Sequence, residues 1–480
     1  MTMKNKIILG GLALFSMVSC TKNFDDMNTD KKNPTEVDGQ SIYANAAKMA
    51  NRQVAHLNVN YNNLKLWSQY FTQTTYTDES NYDLRTRNIP NREWQVMYRD
   101  VLQDLKEAKK FTEQESPILA EDVMAQQNRL AIIEIMSIYS YERLTSIFGN
   151  VPYTDALTGT NLPAFDDAQT IYSDLSTRLD VAIAQLDESG ASFDGGYDNL
   201  FEGDVASWKK FAYGLKLKMG ITISDVDPST ASSLISDAWD HVISSNSENA
   251  KFHFLGDQPN TNPIYEDLVI SGRSDFVAAN TIIDTMNSLG DPRIGMYYTT
   301  APDTTAYIGG AFGASNSYGV NSHAGASLND PMFPSTMMDY AEMEFYKAEA
   351  IEKGLYAGTA EDHYNNGITA SILDWGGTAA DATTYLANPD VAYTTATGDY
   401  KMKIGTQAWI AYFNRGSIAW NSIRRLDAPG LNIAENSQED TPKRYSYPTN
   451  EQTLNSANYS SAASAIGGDL KSTRLWWDVN

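Results

Sequence analysis

The sequence is poor in cysteine, histidine and basic residues. Its one cysteine is Cys20. A single thiol cannot close a disulfide within the chain or build a thiolate metal cluster. The five histidines (His56, His241, His253, His323 and His363) are scattered, with no HExxH and no two at metal-ligand spacing. Lys and Arg number 36 against 60 Asp and Glu, a formal net charge of −24. So acidic a chain lacks a phosphate-reading surface, which excludes nucleic acid as a partner, and it is unsuited to broad docking on anionic lipid. There is no GxSxG, no phosphate-cradling glycine loop and no EF-hand pattern. Adjacent carboxylates such as Asp25-Asp26 and Asp166-Asp167 do not define a glycosidase, which needs two carboxylates set across a cleft. The expectation is a protein without metal, cofactor or catalytic residues.

Long apolar runs are also missing, apart from Ile7–Val18 behind Lys4 and Lys6. That run is too short to span a bilayer, and residues 1–19 read as a secretory signal peptide. Met17-Val18-Ser19-Cys20 resembles a bacterial lipobox: a small residue precedes the cut, and a thiol follows it to carry diacylglycerol. Lipidation is therefore expected at Cys20. Residues 20–40 are polar and read as a flexible tether.

What the chain does have is helical periodicity. A hydrophobic content of 42% with 20% charged residues fits a folded protein with an ample core. Apolar residues recur at helical spacing over Ser41–Leu57, Asn62–Thr74, Asn91–Phe111, Glu121–Phe148, Asp167–Leu186, Ala231–Ile243, Ser335–Gly354 and Glu361–Trp375, and Gly203-Asp204 with Trp208–Phe211 opens a further helix through Ile223. Lys403–Leu431 reads as one buried helix, with Ile404, Ala408, Ala411, Ala419 and Ile423 on one face and Pro429-Gly430 as its stop. The pattern breaks at Tyr76–Asn88, at about 250–334 (except near Ala278–Leu289) and at Trp375–Tyr400, where Gly, Asn, Ser, Thr and Tyr accumulate. The expected architecture is mostly α, a single domain over 41–480 with a loop-rich excursion at about 250–334. Long loops in a compact domain are usually functional.

The Lys403–Leu431 stretch resembles the C-terminal signature of the SusD/RagB family of outer-membrane nutrient-binding lipoproteins. The resemblance lies in Gln407, Trp409-Ile410-Ala411, Trp420, Arg424-Arg425, Pro429 and Leu431. It continues in Gln69–Tyr82, Gly149 with Val151-Pro152-Tyr153, Gly203-Asp204 with Trp208, Gly290–Arg293, Tyr340-Ala341-Glu342 with Ala348-Glu349-Ala350, Arg444–Glu451 and Leu475–Val479. It implies a tetratricopeptide-like scaffold of helical pairs with the ligand face built from irregular loops. It also implies a cell-surface position on the outer membrane and delivery of an oligosaccharide, or in some relatives a peptide, to a SusC-type TonB-dependent transporter. A secreted α-helical glycosidase is the alternative from a different class.

Sugar recognition needs aromatic faces together with amide or guanidinium donors. The loops Tyr76–Asn88, Tyr307–Asn321 and Trp375–Tyr400 supply that mixture. The expected ligand-binding residues are Tyr76, Tyr82, Arg85, Arg87, Phe312, Tyr318 and Asn321.

Overall fold

Helix pairs dominate the architecture. The computed structural model describes residues 37–479, and residues from Gly39 onward form one compact unit. The expected signal peptide, Cys20 and most of the tether lie outside the described residues. The principal helices are α1 (Gly39–Ala55), α2 (Gln103–Gln114), α3 (Ala120–Phe148), α4 (Ala168–Gln185), α5 (Val205–Thr222), α6 (Pro228–Ala238), α7 (Tyr340–Glu352), α8 (Ala360–Asp374), α9 (Tyr400–Ala411) and α10 (Gly416–Leu426). Consecutive helices pack together as α3 on α4, α5 on α6 and α7 on α8. Small residues permit the close crossings: a Cβ on Gly367 of α8 would meet the Phe345 ring of α7 at 3.0 Å.

Aspartates set several helix starts. Asp167, Asp204, Asp227 and Asp339 each accept a backbone N–H from the first turn of α4, α5, α6 and α7, satisfying a donor that the helix itself leaves unpaired. The core is continuous and aromatic, with Trp67, Trp208, Trp409, Trp420 and Trp477 fully enclosed.

Several expected elements take a different form. The Lys403–Leu431 stretch is two helices, not one, broken at Tyr412–Arg415 where Asn414 adopts a left-handed φ of 66°. The break lets Arg415 turn into the core, where it pairs with Asp339 at 2.9 Å and with Glu342. It also brings Gly416 so close to the Leu64–Lys65 backbone that a Cβ would lie 2.5 Å from it. α10 stops at Leu426, before Pro429, because Asp427 is left-handed with φ 48°. Asn62–Thr74 holds only a four-residue helix, Leu64–Trp67. Gln69 then turns at φ 55°, and Phe71–Gln73 becomes strand β1.

Within the irregular region lie β2 (Ala250–Phe252) and β3 (Phe276–Ala278). β1 pairs antiparallel with β3, and β2 with β4 (Ser335–Met338), so Ser335 opens a strand and not a helix. α6 begins at Pro228, earlier than expected, and ends at Ala238. The Trp375–Tyr400 excursion contains a helix, Ala379–Leu386, started by a reciprocal Thr378–Asp381 capping box.

The C-terminal signature is a packing device. The Arg424 guanidinium lies 3.5 Å above the Trp420 ring and 4.9 Å from the Trp477 ring, and donates to the carbonyls of Ser146 and Lys443. Burial pushes its pKa down to about 9. Arg425 forms a bidentate pair with Glu349 of α7. No helix among the described residues is long and apolar enough to cross a membrane.

Candidate functional site

β1 leads into the loop Thr74–Asn88, and Thr74 is clasped on both sides. Its N–H donates to the Asp275 carbonyl at 2.9 Å, and its own carbonyl accepts the Asn316 N–H at 3.2 Å. Three loops far apart in sequence thus run side by side, with Tyr76, Arg273 and Tyr318 each two residues from a clasp. A fourth segment joins them, since Glu435 N–H donates to the Phe312 carbonyl at 2.9 Å.

Amide side chains brace this surface. Asn81 donates to the carbonyls of Thr77 (2.8 Å) and Gly313 (2.7 Å), and its Oδ1 accepts the N–H groups of Asn436 (3.2 Å) and Ser437 (2.9 Å). Asn316 donates from Nδ2 to Gln73 O at 3.1 Å. Gln69 donates to Asn432 O at 2.7 Å and accepts from Asn432 N–H and the Thr281 hydroxyl. Of the ten non-glycine residues with positive φ among those described, Gln69, Tyr76, Tyr82 and Asn88 fall in this one stretch. Such strain persists only where surrounding contacts over-determine the backbone.

The expected site residues divide between surface and core. Tyr76 is 68% exposed and Tyr318 39% exposed. The Tyr318 ring stacks on His323 at 3.6 Å, and His323 Nε2 sits 2.7 Å from the Tyr318 carbonyl, so one tyrosine face is backed and the other is turned outward. Tyr82, by contrast, is fully buried: its ring lies 6.0 Å from Trp67 and 5.9 Å from Phe312, and its hydroxyl contacts Gln69 and Thr441. Phe312 and Asn321 are buried too, and Asn321 donates to Ser317 O at 2.8 Å. These three lie beneath the surface of the loops and not on it, unlike Tyr76 and Tyr318.

Arg85 and Arg87 line different depressions, each of about 400 Å³. The first depression holds Tyr76, Arg87, Asn60, Asp267, Arg273 and Asp275. The second holds Asp83, Arg85, Glu439 and Lys471. Arg87 donates to Glu79 at 2.6 Å, and Glu79 accepts from Gln73 at 2.8 Å. Burial pushes the Glu79 carboxyl above its ordinary value, and both bonds pull against that push. Burial also acts on Asp83, but the N–H groups of Thr86 and Arg85 outweigh it and hold that carboxyl below the usual carboxylate range.

Arg273, Asn60, Asn81, His323 and Asn436 were missed by sequence reasoning. Only their placement near the three irregular loops could have pointed to them. The Trp375–Tyr400 excursion does not take part in the clasp: Trp375 packs on Tyr297 and Phe413 in the core. Among the described residues no cluster of three or more His, Cys, Asp or Glu is arranged to hold a metal ion.

Comparison with known proteins supplies a family. Solved structures are similar along nearly the whole chain. One named a chitin-binding protein has a TM-score of 0.80 at 26% identity, over 92% of this chain and 100% of its own. A chitin-binding SusD homolog from Flavobacterium johnsoniae has a TM-score of 0.77 at 24% identity, covering 92% of this chain and 99% of its own. A SusD homolog from Bacteroides uniformis has a TM-score of 0.77 at 23% identity, with 91% and 100% covered. No curated protein is significantly similar to the chain. The SusD-like family model, described as starch-binding and associating with the outer membrane, matches residues 31–448, and the chain belongs to that family.

Proposed function

We propose that this protein is a cell-surface lipoprotein that captures an oligosaccharide on the Tyr76–Tyr318 face and delivers it to a SusC-type TonB-dependent transporter. The observation that carries the reading is the pair of outward tyrosines on loops held together by the Thr74 clasp. Tyrosine rings offer an apolar plane to the face of a pyranose, and the exposed Asn60 and Arg85 side chains in the adjoining depressions offer donors to its hydroxyls. The family description and the two chitin-binding neighbours support a glycan as the ligand class. Binding is non-catalytic, and release follows transfer to the transporter. Cys20 carries the lipid that holds the protein at the outer membrane.

Calorimetry with chito- and malto-oligosaccharides tests the reading. The wild type should bind at least one series without releasing products, and Tyr76→Ala and Tyr318→Ala should each weaken binding. Taking aromatic stacking on nucleobases as the guide, each loss is about 1–3 kcal/mol, roughly five- to 150-fold. Steady product release would instead make the protein a glycosidase. Cys20→Ala should abolish lipid labelling and release the protein from the membrane fraction. Co-purification of the wild type with a TonB-dependent transporter tests the partner.

A further inference from the structure

Tyr318 rests on His323 both by its ring and by its backbone. The two ring centroids are 3.6 Å apart with the planes 12° from parallel, and His323 Nε2 lies 2.7 Å from the Tyr318 carbonyl. A carbonyl only accepts, so Nε2 carries the hydrogen. Ser317, Gly319 and Val320 beside the tyrosine are exposed. His323 is the fixed member of the pair. Its N–H donates to the Thr299 hydroxyl at 3.3 Å, and its carbonyl accepts the Thr299 N–H at 2.9 Å. The next residues along, Tyr298 and Ala324, form an antiparallel bridge. Tyr298 is buried, with its ring 5.1 Å from Phe413 and its hydroxyl donating to the Tyr70 carbonyl at 2.8 Å. The imidazole is thereby tied to the core, whereas the tyrosine stands on an exposed turn.

Resting on the glycan reading, we propose that His323 is a positioning residue of the sugar site: its imidazole backs the Tyr318 ring and presets the plane on which a sugar stacks, without touching the sugar itself. An unsupported ring on an exposed turn samples several rotamers, and a ligand that stacks on it must order it. Ordering one such side chain on binding weakens affinity by about two- to twelvefold. A ring already held against His323 escapes most of that loss. The imidazole also occupies one face of the tyrosine, so a sugar has the opposite face to use, which sets the side from which it approaches.

The test is calorimetry with chito- and malto-oligosaccharides, with thermal melts alongside, on the mature wild type, His323→Ala, His323→Phe, Tyr318→Ala and the double variant His323→Ala with Tyr318→Ala. His323→Ala should lower affinity by about two- to twelvefold. His323→Phe keeps a flat ring behind the tyrosine and should stay within about twofold of the wild type. In the Tyr318→Ala background, losing the imidazole should change affinity by less than about twofold, because the ring it holds is gone. A merely structural imidazole would lower affinity in both backgrounds alike, in step with the melting temperature. Full affinity in His323→Ala, or an equal loss with and without Tyr318, overturns the inference and leaves the glycan reading standing. So does a His323→Phe variant as weak as His323→Ala. Binding of neither oligosaccharide series by the wild type overturns the glycan reading itself, and the inference falls with it.

Discussion

The side-chain amide of Asn81 donates to the carbonyl of Gly313 across 2.7 Å of space and 232 residues of sequence. The same side chain holds Thr77, Asn436 and Ser437. It is the point at which three separate loops become one surface. Asn81→Ala leaves the N–H groups of Asn436 and Ser437 to find water, while the Thr77 carbonyl keeps the backbone N–H of residue 81 and the Gly313 carbonyl keeps Asn436 Nδ2. The expected cost is about 1–3 kcal/mol of unfolding free energy, the usual range for orphaning part-buried polar groups. Glycan affinity should fall as well, because the loops carrying Tyr76 and Tyr318 lose their brace. Urea unfolding and calorimetry on one preparation check this. An unchanged affinity would show that the loops are held by the Thr74 clasp alone.

The second prediction concerns the buried ion pair that joins α10 to α7. Arg425 donates to both oxygens of Glu349, and both residues are almost fully enclosed. Arg425→Met should destabilise by about 3–5 kcal/mol, since it leaves a carboxylate buried without its fork of donors. Arg425→Lys should recover only part of that loss, because an ammonium cannot bind both oxygens in the guanidinium geometry. Denaturant midpoints of the two variants decide it. Equal stability of Arg425→Met and wild type would mean that Lys353, 3.4 Å from Glu349, neutralises the carboxylate alone.

How much of this was legible depended on the range of the forces involved. Helix α3 could be placed to within a residue, and the Asp204 and Asp167 starts of α5 and α4 were visible, because caps and 3.6-residue periodicity are local. The break at Asn414 was not legible. It depends on Arg415 finding Asp339 and Glu342, more than 70 residues earlier in the chain. β1 was read as helix because Trp67 and Phe71 keep helical spacing. Its partner β3 lies some two hundred residues away and leaves no mark on the local pattern. The loops of the face were visible as gaps in periodicity. Which of their aromatics point outward was not, since Tyr76 and Tyr82 sit in the same loop among similar neighbours.

The third prediction is a pH dependence. Lys65 is fully buried, its ammonium donates to the Ala55 carbonyl, and burial lowers its pKa from 10.5 to about 7. The unfolded chain therefore holds this proton more tightly than the folded protein between about pH 7 and 10. Stability contributed by this group must rise with pH across that window, and the penalty is fully present below pH 7. Lys65→Met should remove the penalty at pH 6 and flatten the rise between pH 7 and 9, by an amount on the order of a few kcal/mol. The difference between variant and wild type isolates the effect from the buried tyrosines. Parallel stability curves for the two proteins over that range would contradict it.

The last prediction separates the two tyrosines of the loop. Tyr82 is enclosed between Trp67 and Phe312, so Tyr82→Ala should cost about 3–5 kcal/mol, as large-to-small changes of buried aromatics do. Its glycan affinity should follow the folded fraction. Tyr82→Phe keeps the ring and loses two hydroxyl contacts of 3.3 Å, which is worth about 1 kcal/mol or less. Tyr76 is exposed and carries a left-handed φ of 54°, a backbone state that glycine adopts without strain. Tyr76→Gly should therefore leave stability unchanged or raise it by up to about 1 kcal/mol. The same change deletes the outward ring, so binding should weaken by the five- to 150-fold expected of a lost stacking partner, roughly 1–3 kcal/mol. Loss of binding without loss of stability is the signature of a contact residue, and a structural role for Tyr76 cannot produce it. Thermal melts beside calorimetry on a bound oligosaccharide read both quantities. If Tyr76→Gly binds as tightly as the wild type, the ligand does not touch the first depression, and the face narrows to Tyr318 and the depression that Arg85 lines.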